Sequence, residues 1–240
     1  MKSQARRSRV LGAAFLLQAM TSLAGGILLD FFLVTPGNIG KTMANIAQHA
    51  AWMRIDFLDE MVTAVGVIWL GAVLFATLRR QGETMARLAF ALYILEGAVL
   101  AASRIGGFML LTVSQQYLGV GQPPSLLPLG SMAYAAMDRG ALLAMVPFCA
   151  GAFPFYWLLY KSRLVPRWLP VWGLLAMVPV TVGTVGTVLG IAIPFYLFVP
   201  YIPFEFTIGI WILIAGVQNG DGASVAAETP ALLASAQRAS

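Results

Sequence analysis

Residues 61–78, MVTAVGVIWLGAVLFATL, run for eighteen positions without one charged side chain. A helix rises about 1.5 Å per residue, so a run of about this length nearly crosses a hydrocarbon layer roughly 30 Å thick. In lipid the backbone polar groups of a lone segment have to bond within that segment, which leaves the helix as the spanning form. Five further apolar runs punctuate the chain, and the candidate spans are 10–34, 57–78, 86–113, 132–160, 169–199 and 201–217. Composition agrees. The 240 residues are 59% hydrophobic and 10% charged, whereas soluble domains are nearer ~45–50% apolar and ~25% charged. The fold expected is an all-α, polytopic transmembrane bundle of six spans, one domain over 1–217, followed by a polar Ala/Ser/Gly-rich tail, 218–240, read as disordered and cytoplasmic.

Positive charge orients the stack. Lys2, Arg6, Arg7 and Arg9 precede the first run; Arg79, Arg80 and Arg87 lie between the second and third; Lys161, Arg163 and Arg167 lie between the fourth and fifth. The first connection carries Lys41 ahead of the charged RIDFLDE, and the third and fifth carry no Lys or Arg. This alternation predicts both termini on the cytoplasmic side. A cleaved secretory signal ending at Ser22-Leu23-Ala24 is the competing reading, but the apolar run continues to Val34, so an uncleaved first span is expected. In the first connection Met43, Ile46, Ala47, Ala50 and Met53 recur at helical spacing, which predicts a short interfacial helix over 41–53 with Trp52 at headgroup level. The third connection, with three prolines, is expected to be irregular.

The charges inside the apolar runs carry the functional question. Asp30, Arg54, Asp56, Asp59, Glu60, Glu96, Arg104, Asp138, Arg139 and Glu205 all fall in or beside spans. An ionised group at mid-bilayer costs at least ~2.5–3.5 kcal/mol, so such side chains should face the bundle interior or water. All but Glu96 fall in the outer half of the threading. Arg54, Asp56, Asp59, Glu60, Glu96, Arg104, Asp138, Arg139 and Glu205 are therefore taken to line one polar pocket opening outward, with Glu96 as its floor. The plainer alternative is a set of structural ion pairs: Arg54 with Asp138, Arg104 with Asp59 or Glu60, Arg139 with Glu205.

Other chemistry is weakly represented. The basic residues form short clusters between apolar runs and no basic stripe, which argues against nucleic acid. His49 is the single histidine, too few for a three-histidine zinc site, and no metal or other cofactor is expected. Cys149, the single cysteine, reads as a small buried apolar residue. Gly186 and Gly190 form a GxxxG that predicts a close-packed seam inside the bundle, and Pro147, Pro154, Pro179 and Pro194 are expected to bend the fourth and fifth spans.

RSRVLGAAFLL, NIAQHAAWMRIDF, ARLAFALYILEGAVLAA, Asp138-Arg139-Gly140 and YKSRLVPRWLPVWGLLAMV, with Ser162, Leu164, Pro166 and Leu169, together resemble a bacterial family of polytopic membrane proteins catalogued as domain of unknown function 4386. The resemblance covers most of residues 7–190. It implies a multi-pass protein of the bacterial inner membrane, carries no catalytic assignment, and draws attention to Asn45, Arg54, Glu96 and Asp138. The function expected is a non-enzymatic binding, sensing or accessory module, with membrane lipids, a small or lipidic ligand and other membrane subunits as its partners. The alternatives are an intramembrane lipid-modifying enzyme working through paired carboxylates and a proton- or cation-coupled carrier, against which the lack of a visible internal repeat counts.

Overall fold

The computed structural model describes residues 2–27 and 32–216, with side chains over 9–26, 32–194 and 196–216. Asp30 and the tail 218–240 lie outside the described residues. Seven α-helices are present among them: α1 Lys2–Ile27, α2 Ile39–Gln48, α3 Ala50–Leu78, α4 Glu83–Gly119, α5 Leu127–Ser162, α6 Trp168–Val188 and α7 Tyr201–Ala215. No strand occurs among the described residues. Four helices are long and apolar enough to cross a membrane, those built on α3, α4, α5 and α6; α7, at 15 residues, is shorter. Their outward surfaces are rich in exposed Leu, Val, Ile, Met and Phe, which water would not tolerate in such numbers and lipid does.

Six of the helices close into a ring. α1 packs on α3, α3 on α4, α4 on α5, α5 on α6, α6 on α7, and α7 returns to α1. Glycine makes the closest approaches. A Cβ added to Gly106 of α4 would sit 2.6 Å from the Met137 backbone nitrogen of α5, and one added to Gly12 of α1 would sit 2.6 Å from that of Leu213 in α7. At Gly97 it would meet the Ala64 carbonyl oxygen of α3 at 2.7 Å. Backbones this close pack without intervening side chains, which suits helices that gain little from apolar burial in lipid. α2 lies across one end of the ring, against α3, α4 and α5. Its Met43 and Ile46 join Leu33, Met53, Phe57 and Met137 in a small core there, while the larger core fills the rest of the ring.

Several boundaries differ from those read off the sequence. The short helix ends at Gln48, where His49 leaves helical geometry (φ −116°, ψ 40°) and starts α3, so Trp52 and Arg54 belong to the first turns of the long helix. The fifth span was expected to run to 199. α6 instead stops at Val188, and Gly190 adopts φ +81°, a left-handed conformation that ends helices and favours glycine. This also removes the predicted seam. Gly183 and Gly186 meet Phe198 and Ile193 of the following connection, Gly190 meets nothing, and the small-residue seams lie on α1/α7, α3/α4 and α4/α5. Pro147 and Pro154 are inside α5 and Pro179 inside α6, but Pro194 falls in the connection. The proline-rich third connection is shorter than expected, because Pro124 opens a 3-10 turn and Pro128 sits in the first turn of α5, where a missing N–H costs nothing.

Candidate functional site

The RIDFLDE segment forms the second and third turns of α3, and α4 runs antiparallel beside it. That pairing brings Arg104 to Asp56 (Nη1 to Oδ2 3.5 Å) and to Glu60 (Nη1 to Oε1 3.9 Å). Arg104 and Asp56 are nearly sealed, with side-chain exposures of 5% and 1%. Arg104 Nε also donates to the Ser103 hydroxyl at 3.1 Å. Asp59 stands beside Glu60, and α1 comes close to both at Gly25. A Cβ at Gly25 would lie 2.9 Å from Glu60 Oε1 and 3.1 Å from Asp59 Oδ2, so only glycine lets the α1 backbone come this near. Asp59 Oδ2 and Glu60 Oε2 are buried without a hydrogen-bond partner among the described residues. Two carboxyls thus meet one guanidinium, and a third stands beside Glu60.

Arg54, Asp138 and Arg139 are not brought into this cluster. Arg54 is exposed, and Arg139 pairs at 3.9 Å with its neighbour Asp138 on the outer surface, their side chains 63% and 55% exposed. The physical reason is helical phase: Asp56 and Glu60, four apart, share the face of α3 toward α4, whereas Arg54 precedes Asp56 by two positions and points away. Asn45 serves α2, its side chain donating to the Leu33 carbonyl and the Thr35 hydroxyl at 3.4 Å each. His49 is exposed and bonds the Asn45 carbonyl at 3.0 Å.

Glu96 and Glu205 form a second cluster, deeper in the ring. Eight residues separate Glu96 from Arg104, about 12 Å along α4. Glu96 is 8% exposed, and its Oε2 has no hydrogen-bond partner among the described residues. Glu205, one turn after Tyr201 on α7, accepts from the Tyr201 hydroxyl at 2.9 Å, and Tyr201 and Tyr156 share a hydrogen bond of 2.7 Å. Phe148 of α5 links the two sides, its ring 6.4 Å from that of Tyr93, one turn before Glu96, and 5.4 Å from that of Tyr201. Aromatic rings wall the cluster: Tyr93 packs edge-on to Phe155, Phe148 on Tyr201, and Tyr156 on Phe204. Among the described residues neither glutamate has an ion pair.

The sequence reading put Glu96 and Glu205 in one pocket with Arg104, whereas the fold separates them into a charged and a tyrosine-lined cluster. It did not single out Tyr93, Tyr156 or Tyr201. The spacing of Tyr93 to Glu96 and of Tyr201 to Glu205, three and four residues, was the available signal; Tyr156 had none. Gln18, buried at 8% exposure and bonded to the Ser22 hydroxyl at 2.9 Å, was also missed. Among the described residues no group of three or more His, Cys, Asp or Glu is placed to hold a metal ion.

Long apolar helices with lipid-compatible outer faces and ionisable groups turned inward define a helical membrane protein. The chain belongs to the family described as a domain of unknown function (DUF4386), which matches residues 10–216 and so takes in the ring except for the first turns of α1. No curated protein and no solved structure matches it.

Proposed function

We propose that the protein is a six-span inner-membrane module, both termini cytoplasmic, that binds a small or lipidic ligand through a positively charged group. The carrying observation is the carboxyl excess at Arg104: Asp56 and Glu60 share one guanidinium, Asp59 stands beside Glu60, and Asp59 Oδ2 and Glu60 Oε2 have no hydrogen-bond partner among the described residues. A buried carboxylate without a partner is costly, and an ammonium group is the chemical complement that would relieve it. Antiparallel packing supports the orientation, because the stretch holding Lys2, Arg6, Arg7 and Arg9 lies at the same end of the ring as Arg79, Arg80, Arg87, Lys161, Arg163 and Arg167. The Arg104 cluster then faces the periplasmic side.

Thermal melts of the nanodisc-reconstituted protein with an alkylamine and with the alkyl alcohol of equal length test the reading. The amine should raise the Tm and the alcohol should not, and Asp59→Asn with Glu60→Gln should abolish the difference. Equal responses to amine and alcohol would sink it. The carrier alternative has one specific observation in its favour, the second carboxyl pair at Glu96 and Glu205.

A further inference from the structure

The outer side of α5 carries a charge pair that the fold leaves uncovered. The side chains of Asp138 and Arg139 are 55% and 63% exposed on a helix long and apolar enough to cross a membrane. Toward the start of α5 lie exposed Met132 and Leu129, and toward its end exposed Leu143 and Val146. The pair therefore sits within the apolar surface and not at its rim. Charged side chains turned to lipid are costly and ordinarily face protein or water. The contact between the two does not answer that cost. Neighbours on a helix point about 100° apart, and Arg139 Nε approaches Asp138 Oδ2 only to 3.9 Å, too far for a hydrogen bond. The planar fork of the guanidinium can still take a carboxylate through two N–H groups.

The flank is open because α6 is short. α5 and α6 pack antiparallel, joined by a short connection, and the Cys149 thiol of α5 meets the Thr184 hydroxyl of α6 at 3.8 Å. α6 ends four residues later, at Val188, about 6 Å beyond that contact, whereas Asp138, eleven residues from Cys149, lies about 16 Å beyond it. The connection after α6 folds back on Gly183 and Gly186 instead of continuing beside α5. Ser131, Ala135 and Asp138, which share one face of α5, are accordingly exposed.

We propose that this flank of α5 is where a second copy of the chain docks, with Asp138 of each copy bound to Arg139 of the other and Ala135 at the closest approach. The charge pattern selects that occupant. Two copies inserted the same way round are related by a twofold axis along the membrane normal, which keeps each residue at the depth of its counterpart. Such an interface is isologous: if Asp138 meets Arg139 of the second copy, Arg139 meets its Asp138. The two groups must then lie at nearly one depth with opposite sign, and adjacent residues of a helix differ in depth by only about 1.5 Å. One reciprocal contact thus gives two ion pairs and covers four charges. Ala135, one turn before Arg139, leaves room for the helices to approach.

Co-purification of two differently tagged copies of the full chain from one membrane tests the proposal. The parent copies should purify together. Asp138→Arg and Arg139→Asp each leave two charges of one sign on every copy, and either variant alone should self-associate at least about tenfold more weakly. Expressed together, the two variants should associate with each other, because one then supplies both cations and the other both anions. Ala135→Cys should form a disulfide-linked dimer in the membrane under mild oxidation, and Leu175→Cys, 66% exposed on α6, should not. The cysteine comparison decides the matter even if a charge variant fails to insert. Parent copies that do not purify together would overturn the proposal, as would an Ala135→Cys that links no faster than Leu175→Cys. So would single charge variants that self-associate like the parent, because the pair would then serve a lipid headgroup or a different membrane protein. None of these variants touches Asp59 or Glu60, so failure here leaves the amine-binding reading standing, and the reverse holds too.

Discussion

The two polar clusters solve the same problem in opposite ways. At the α2-covered end, Arg104 meets Asp56 and Glu60 with charge against charge, and the surplus negative groups reach toward the ends of α1 and α3. In the middle of the ring, Glu96 and Glu205 have no ion pair among the described residues and are set among phenols and aromatic rings. The difference teaches what burial demands. An ion pair removed from water holds only while both partners remain, whereas a neutral acid and hydrogen-bonded phenols can lose one member at modest cost. The first cluster should therefore dominate stability and the second should tolerate conservative change.

Arg104→Met breaks the charged cluster most severely. It leaves Asp56 and Glu60 buried without their guanidinium, and the loss should be about 3–5 kcal/mol, read as a large fall in Tm in detergent. Gly106→Leu tests the frame that holds both clusters on α4, since the added side chain would collide with the α5 backbone. A destabilisation of about 3 kcal/mol is expected, with Gly186→Leu far milder because an added side chain there meets only the side-chain end of Ile193. Tyr201→Phe removes one donor from the tyrosine chain and should cost about 1 kcal/mol. Arg54→Ala, at an exposed position, should change the melt by no more than about 0.5 kcal/mol. An Arg54→Ala loss as large as that of Arg104→Met would erase the distinction between an inward and an outward face of α3.

Much of this was legible in the chain. Length and hydropathy of the apolar runs located the long helices, because a membrane helix is specified by a local, one-dimensional property. The pairing of Arg104 with Glu60 followed from opposed helices and the outer-half position of both. Helix ends were harder: the stop of α6 at Val188 is set by Gly190 and by the 189–200 connection folding back on Gly183 and Gly186, and those residues are as apolar as a span. The separation of Arg139 from Glu205 was hidden because facing direction depends on the rotation of α5 against α4, which the glycine contacts at Gly106 and Gly140 fix. Tyr156 was invisible for the same reason, since its partner on α7 lies 45 residues away.

The most direct test of the account sets Glu96→Gln beside Arg104→Met in one series of thermal melts of the purified full chain. The amide keeps the shape and hydrogen-bonding groups of a neutral carboxylic acid, so Glu96→Gln should cost under about 1 kcal/mol, and Arg104→Met should lower the Tm several times further. If Glu96→Gln proves the more damaging of the two, Glu96 is an ionised partner in the network that holds the bundle together, and the division into a charged cluster and a tyrosine-lined one is wrong.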